Sequence, residues 1–229
     1  VVPEIIVVGT GRCGTLSVAD MIDDAEHEPM REVTVPMVTY RNHRIWPDAA
    51  IAEQMRWAET GWGGGQEWPR VICDFKQSEL LPVSVAVWPD VKVVWMWRNE
   101  EDTVRSMMGK GWYDPVEDVH APDEIPYMRA TWLTPGGVLY DVNYGWHRTR
   151  PDQLGIMDTA DWVLLSQEGR CRWWWRYCNL YIGNVLSQID PDRWMMHRLG
   201  DPSDALCDFL DIPRQALPRS NMSTQGTLV

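Results

Sequence analysis

The chain has 229 residues, 45% apolar and 24% charged, with a formal net charge of −12, the profile of one globular domain with a substantial core. The negative balance argues against a broad electropositive groove for nucleic acid, heparin-like polymers or anionic membrane, and leaves room for a small anion site made of backbone amides and a few arginines. No apolar run is long enough to span a bilayer, and no basic start leads into an apolar signal region.

Glu4 to Gly9 carries the run Ile5-Ile6-Val7-Val8 and reads as a buried strand ending in a glycine-rich turn. So abrupt an opening reads as a native start or a trimmed one. From Thr15 the apolar positions Leu16, Val18, Ala19, Met21 and Ile22 predict a helix to about Asp24. Arg70 to Phe75 is a second strand, and Ser78 to Trp88 a helix stopped by Pro89-Asp90. Val91 to Trp97 is a third strand, followed by a helix over Glu100 to Met108 with acidic residues in its first turn. Strands alternating with helices predict a parallel sheet with right-handed crossovers.

Between Gly109 and Asp161 periodicity dissolves into prolines and glycines interleaved with Trp112, Tyr113, Trp132, Tyr140, Tyr144 and Trp146. An irregular aromatic stretch of that length inside one domain reads as a lid or substrate-binding insertion. Gln167 to Ile189 is a helix bearing Trp173, Trp174 and Trp175, Arg193 to Leu199 a strand, and Asp201 to Leu210 a short helix before an irregular tail. Successive residues do not share a helix face, so at most one or two of these tryptophans can meet a ligand, and core packing is the simpler role. With 15 Trp against 2 Phe, Trp does the core work usually given to Phe. The five cysteines form no C-x-x-C pair and no zinc spacing, which reads as reduced thiols in a cytoplasmic protein.

Chemistry concentrates at Gly9-Thr10-Gly11-Arg12-Cys13-Gly14-Thr15, between the first strand and the first helix. There, glycines let backbone amides and a helix N-terminus approach an anion. A nucleotide-kinase loop has Gly-x-x-x-x-Gly-Lys-Ser/Thr. Gly9 and Gly14 keep that spacing, but Thr15 stands where the lysine belongs and the cation has moved into the loop as Arg12.

In this respect Gly11-Arg12-Cys13-Gly14-Thr15 resembles the 5′-phosphosulfate loop of sulfotransferases that use 3′-phosphoadenosine 5′-phosphosulfate (PAPS). The resemblance implies a three-layer P-loop NTPase-like α/β fold, a central parallel sheet flanked by helices, in a single domain over residues 1–229. It implies that Arg12 contacts the donor near its bridging oxygen, while Cys13, Gly14, Thr15, Leu16 and Ser17 offer amides and hydroxyls to the 5′-phosphate. The second family signature is an Arg after the third strand and a Ser eight positions on, both reading the donor's 3′-phosphate. Arg98 and Ser106 match it, and Glu100 stands where the family often has Pro.

His27-Glu28-Pro29 is similar to the region where family members without a catalytic histidine place a glutamate, which implies Glu28 as general base with His27 as runner-up. Lys76 resembles an active-site lysine after the second strand that steadies the transferring group or binds acceptor; a solvated strand-end lysine is the alternative. Arg198-Leu199-Gly200-Asp201 and Phe209-Leu210-Asp211-Ile212-Pro213 are similar to structural segments of the family. The family's C-terminal Arg-Lys-Gly is missing, and Arg105 and Arg219 are the candidates to replace its 3′-phosphate contact. The implied reaction moves a sulfuryl group from PAPS, leaving 3′-phosphoadenosine 5′-phosphate (PAP), to a hydroxyl or amine of a small-molecule or glycan acceptor without a metal. The other readings are a P-loop small-molecule kinase and a catalytically inactive nucleotide-binding module.

Overall fold

A computed structural model describes residues 2–22, 25–26, 48–59, 70–75, 77–113, 129–133, 139–143, 149–152 and 154–218. Its centre is a sheet of parallel strands in the order β2-β3-β1-β4-β7. These are β1 (Ile5–Val8), β2 (Ala25–Glu26), β3 (Val71–Cys73), β4 (Lys92–Trp97) and β7 (Trp194–Arg198). The two-residue β2 is an edge. The innermost strand, β1, pairs Ile5 with Val71 on one side and with Lys92 on the other. All four of its residues are buried, which is why it is a continuous apolar run and not an alternating one.

Alternate residues of these strands feed two separate cores. Ile6, Val8, Ile72 and Val93 pack with residues of α2 (Asp48–Glu59), α3 (Gln77–Val87), α4 (Glu100–Met108) and α6 (Gln167–Leu186). Ile5, Val7, Val71, Cys73, Val94 and Met96 pack on the opposite face with α1 (Thr15–Met21) and α7 (Asp204–Leu210). The helix after β1 therefore covers one face and the helix after β4 the other. At such a reversal the loops leaving adjacent strands diverge and open a crevice at the carboxyl edge of the sheet.

Helix starts follow local chemistry. Asn99 caps α4 by accepting from the Asp102 N–H at 2.9 Å, with Glu100, Glu101 and Asp102 in the first turn. Ser166 caps α6 through the Gly169 N–H at 3.1 Å.

Besides the edge strand β2, the fold departs from the sequence expectation in three places. Helix α1 stops at Met21, short of Asp24. Helix α2, with Ile51 and Met55 buried one turn apart, had no counterpart in the expected elements. The stretch read as irregular contains an antiparallel pair, β5 (Arg129–Leu133) with β6 (Leu139–Asn143), and the short helix α5 (Thr159–Leu164). The strands pair Arg129 with Asn143 and Leu133 with Leu139, and the Pro-Gly-Gly between them is a turn signal. Among the described residues no helix is long and apolar enough to cross a membrane.

Candidate functional site

All five central strands run the same way, so their carboxyl ends share one edge. The glycine-rich loop after β1 sits there. Gly11 (φ 74°), Arg12 (φ 59°) and Gly14 (φ 105°) are left-handed, the backbone that curls successive amides around an anion. Arg12 is the one residue of the three that carries a side chain in this region of backbone space, a strained state typical of ligand sites. At Gly9 an added Cβ would meet Cys13 Sγ and, at 2.7 Å, the Met96 carbonyl. Ser78 fixes the same residue from α3: its hydroxyl accepts from Gly9 N–H at 2.9 Å and donates to Gly9 C=O at 2.8 Å.

The two sequence motifs converge. Arg98, half-buried at the end of β4, donates from its guanidinium to the Arg12 carbonyl at 3.1 Å. Arg12 in turn donates from Nε to Ser106 Oγ at 3.1 Å, across 94 residues of chain. Burial, and next the nearby Arg98 charge, lower the Arg12 pKa. The two cations lie near enough for Arg98 to lower the Arg12 pKa, and an anion bound near both would relieve their repulsion.

Within the loop, Cys13 is fully buried and its thiol is pushed up by burial, which keeps it a neutral thiol. Thr15 and Ser17 are buried and Gly14 and Leu16 are half-buried at the start of α1. Arg105 lies on the exposed side of α4, paired to Asp102 at 3.1 Å. His27, Glu28, Lys76 and Arg219 lie outside the described residues; β2 ends at Glu26 on the same sheet edge.

Other residues of this site carried no motif. Trp112 packs over Gly11, where an added Cβ would lie 2.5 Å from its Cη2, and its ring sits 5.3 Å from that of Phe75. Trp174 and Trp175 were expected as core residues. Trp174 is buried, but its indole N–H donates to the Thr10 carbonyl at 2.8 Å, and Trp175 donates to the Arg98 carbonyl at 3.1 Å. Trp173 instead stacks on Tyr177 at 5.0 Å. A composition rich in Trp signalled that indole N–H groups would need acceptors, but not which ones.

The arrangement gathers two cations and a hydroxyl around one loop at the sheet edge, chemistry suited to an anion. A family model described as a sulfotransferase domain matches residues 4–225. No curated protein matches the chain. With a match over nearly its whole length, the chain belongs to the sulfotransferase domain family and carries that family's general activity, sulfuryl transfer.

Proposed function

We propose that the donor is PAPS and that its two anionic ends engage the loop after β1 and the β4–α4 junction. The observation that carries this reading is the junction of the two motifs: Arg98 on the Arg12 carbonyl, and Arg12 on Ser106. A donor with phosphate at both ends of one ribose needs two anion sites on adjacent strands, and β1 and β4 are adjacent. The left-handed loop at Gly11, Arg12 and Gly14 suits the 5′-phosphosulfate. Arg98 and Ser106 suit the 3′-phosphate.

When bound, PAPS supplies an activated sulfuryl group. The acceptor oxygen or nitrogen forms a bond to sulfur, the bond from sulfur to the 5′-phosphate breaks, and its electron pair leaves on PAP. The acceptor proton goes to Glu28, or to His27 in its place. Arg12 neutralises charge growing on the leaving phosphate, and Lys76 assists on the acceptor side. The acceptor is a small hydroxylated or amine-bearing molecule or a glycan, taken up beside the 109–161 stretch. Trp112, near the start of that stretch and against Gly11, supports this placement. Five buried cysteines, none of them in a disulfide, support a cytoplasmic setting.

Calorimetric titration with PAP, adenosine 5′-monophosphate (AMP) and ATP with Mg²⁺ tests the donor. PAP should bind at least about tenfold more tightly than AMP, and Arg98→Ala should remove most of that preference, as the loss of a charge-assisted phosphate contact requires. Tighter binding of ATP than of PAP would overturn the reading.

A further inference from the structure

Helix α6 touches both anion-binding segments at once, through successive residues. Trp174 donates to the Thr10 carbonyl inside the glycine-rich loop, and Trp175 donates to the carbonyl of Arg98 itself. Neighbouring residues on a helix point about 100° apart. They reach two different segments because the N-terminal half of α6, which packs on the sheet face beside α3 and α4, comes up against the chain that follows β1 and β4. The attachment is wider than two bonds. Cys178 Sγ approaches the Gly9 carbonyl at 3.7 Å, and Asn179 accepts from the Trp95 indole at 3.2 Å. Arg172 and Arg176 meet Glu100 at 3.2 and 3.0 Å, and Arg172 also meets Glu101, all in the first turn of α4.

The indole bonds also set directions. In a planar trans peptide the C=O and the following N–H point opposite ways. Holding the Thr10 carbonyl towards α6 turns the Gly11 N–H away from it, and holding the Arg98 carbonyl does the same for the Asn99 N–H. From the other side, Arg98 on the Arg12 carbonyl sets the Cys13 N–H. The Gly11 and Asn99 N–H groups are therefore both oriented from α6, with Thr103 of α4 also donating to the Arg98 carbonyl at 3.5 Å.

We propose that Trp174 and Trp175 are positioning residues that fix the separation of the two anion sites, so that α6 selects a ligand with two phosphates on one ribose over one with a single phosphate. This rests on the two-site donor reading above. Neither residue needs to touch the ligand, and their effect appears as the ratio of PAP to AMP affinity.

The test is calorimetric titration of wild type, Trp174→Phe, Trp175→Phe and the double variant with PAP and with AMP. Trp173→Phe serves as control, since its ring stacks on Tyr177 and meets Trp162 edge-on. Phe keeps an aromatic ring and removes the N–H. The PAP-to-AMP ratio should fall about threefold in each single variant and about tenfold in the double variant, the scale of one and two lost hydrogen bonds. It should hold in Trp173→Phe. A wild-type ratio near one would defeat the two-site reading and this proposal together. A clear wild-type preference that survives the double variant would defeat the strut alone. Should a variant fold poorly, exchange of the two indole N–H protons in wild type gives a second answer: PAP should slow both more than AMP does, and equal slowing would overturn the proposal.

Discussion

Replacing Gly11 by alanine combines a backbone penalty with a steric one. Gly11 has φ 74°, and an L side chain pays about 1–2 kcal/mol in that region. An added Cβ would also lie 2.5 Å from Trp112 Cη2 and 3.3 Å from Phe75 Cγ, inside ordinary carbon contact distances of about 3.5–4.0 Å. Forcing a methyl into filled space costs about 1–3 kcal/mol. The sum, about 2–5 kcal/mol, is a large share of a typical domain stability of about 5–15 kcal/mol. Urea unfolding with an unchanged m-value should report it as a lower midpoint. Trp112→Leu separates the parts, because Cη2 and Cζ2 belong to the six-membered ring it removes. In the double variant the steric part is relieved and the backbone part stays, giving a coupling of about 1–3 kcal/mol. A Gly11→Ala loss below about 0.5 kcal/mol, or strictly additive effects in the cycle, would refute the packing argument.

Two further outcomes are expected. Ser78→Ala removes a fully buried hydroxyl bonded to both Gly9 backbone groups and should cost about 1–3 kcal/mol in denaturant unfolding; a change under about 0.5 kcal/mol would show that the loop holds itself. His197 is buried on β7 and burial, opposed by Asp201, lowers its pKa. The unfolded chain then binds a proton near the ordinary value of 6.5 that the folded chain refuses. The unfolded state thus carries more protons there, so stability rises with pH through this window and is lost as pH falls below it. His197→Gln should flatten the dependence of melting temperature on pH between about pH 5 and 7, and an unchanged slope would refute the assignment. Glu101, lowered first by its hydrogen bond from Arg172, titrates below its usual 4.5 and so leaves this window clear.

Much of the fold was legible in local pattern. The apolar run at Ile5–Val8, the glycines that follow it and the periodicity from Thr15 determine a strand, a turn and a helix using neighbours within one or two turns of chain. The acidic first turn after Asn99 does the same for α4. Arg12 stood out as a cation inside the glycine turn, whereas Arg98 and Ser106 were singled out only by their resemblance to a family signature. Local pattern did not reveal β2, α2 or the β5–β6 pair. A two-residue edge strand holds no periodicity to read, and in α2 Ile51 and Met55 are buried while Asp48, Ala49 and Arg56 are exposed, too sparse a pattern to read from sequence. Nor did it show that Arg12 meets Ser106 across 94 residues, that Ser78 clasps Gly9 across 69, or that Trp174 reaches Thr10 across 164. Those partners were decided by the crossovers that set β3, β1 and β4 side by side and pack α6 on their face. A buried hydroxyl or indole N–H must find an acceptor, and which acceptor stands within reach is a property of the packed fold.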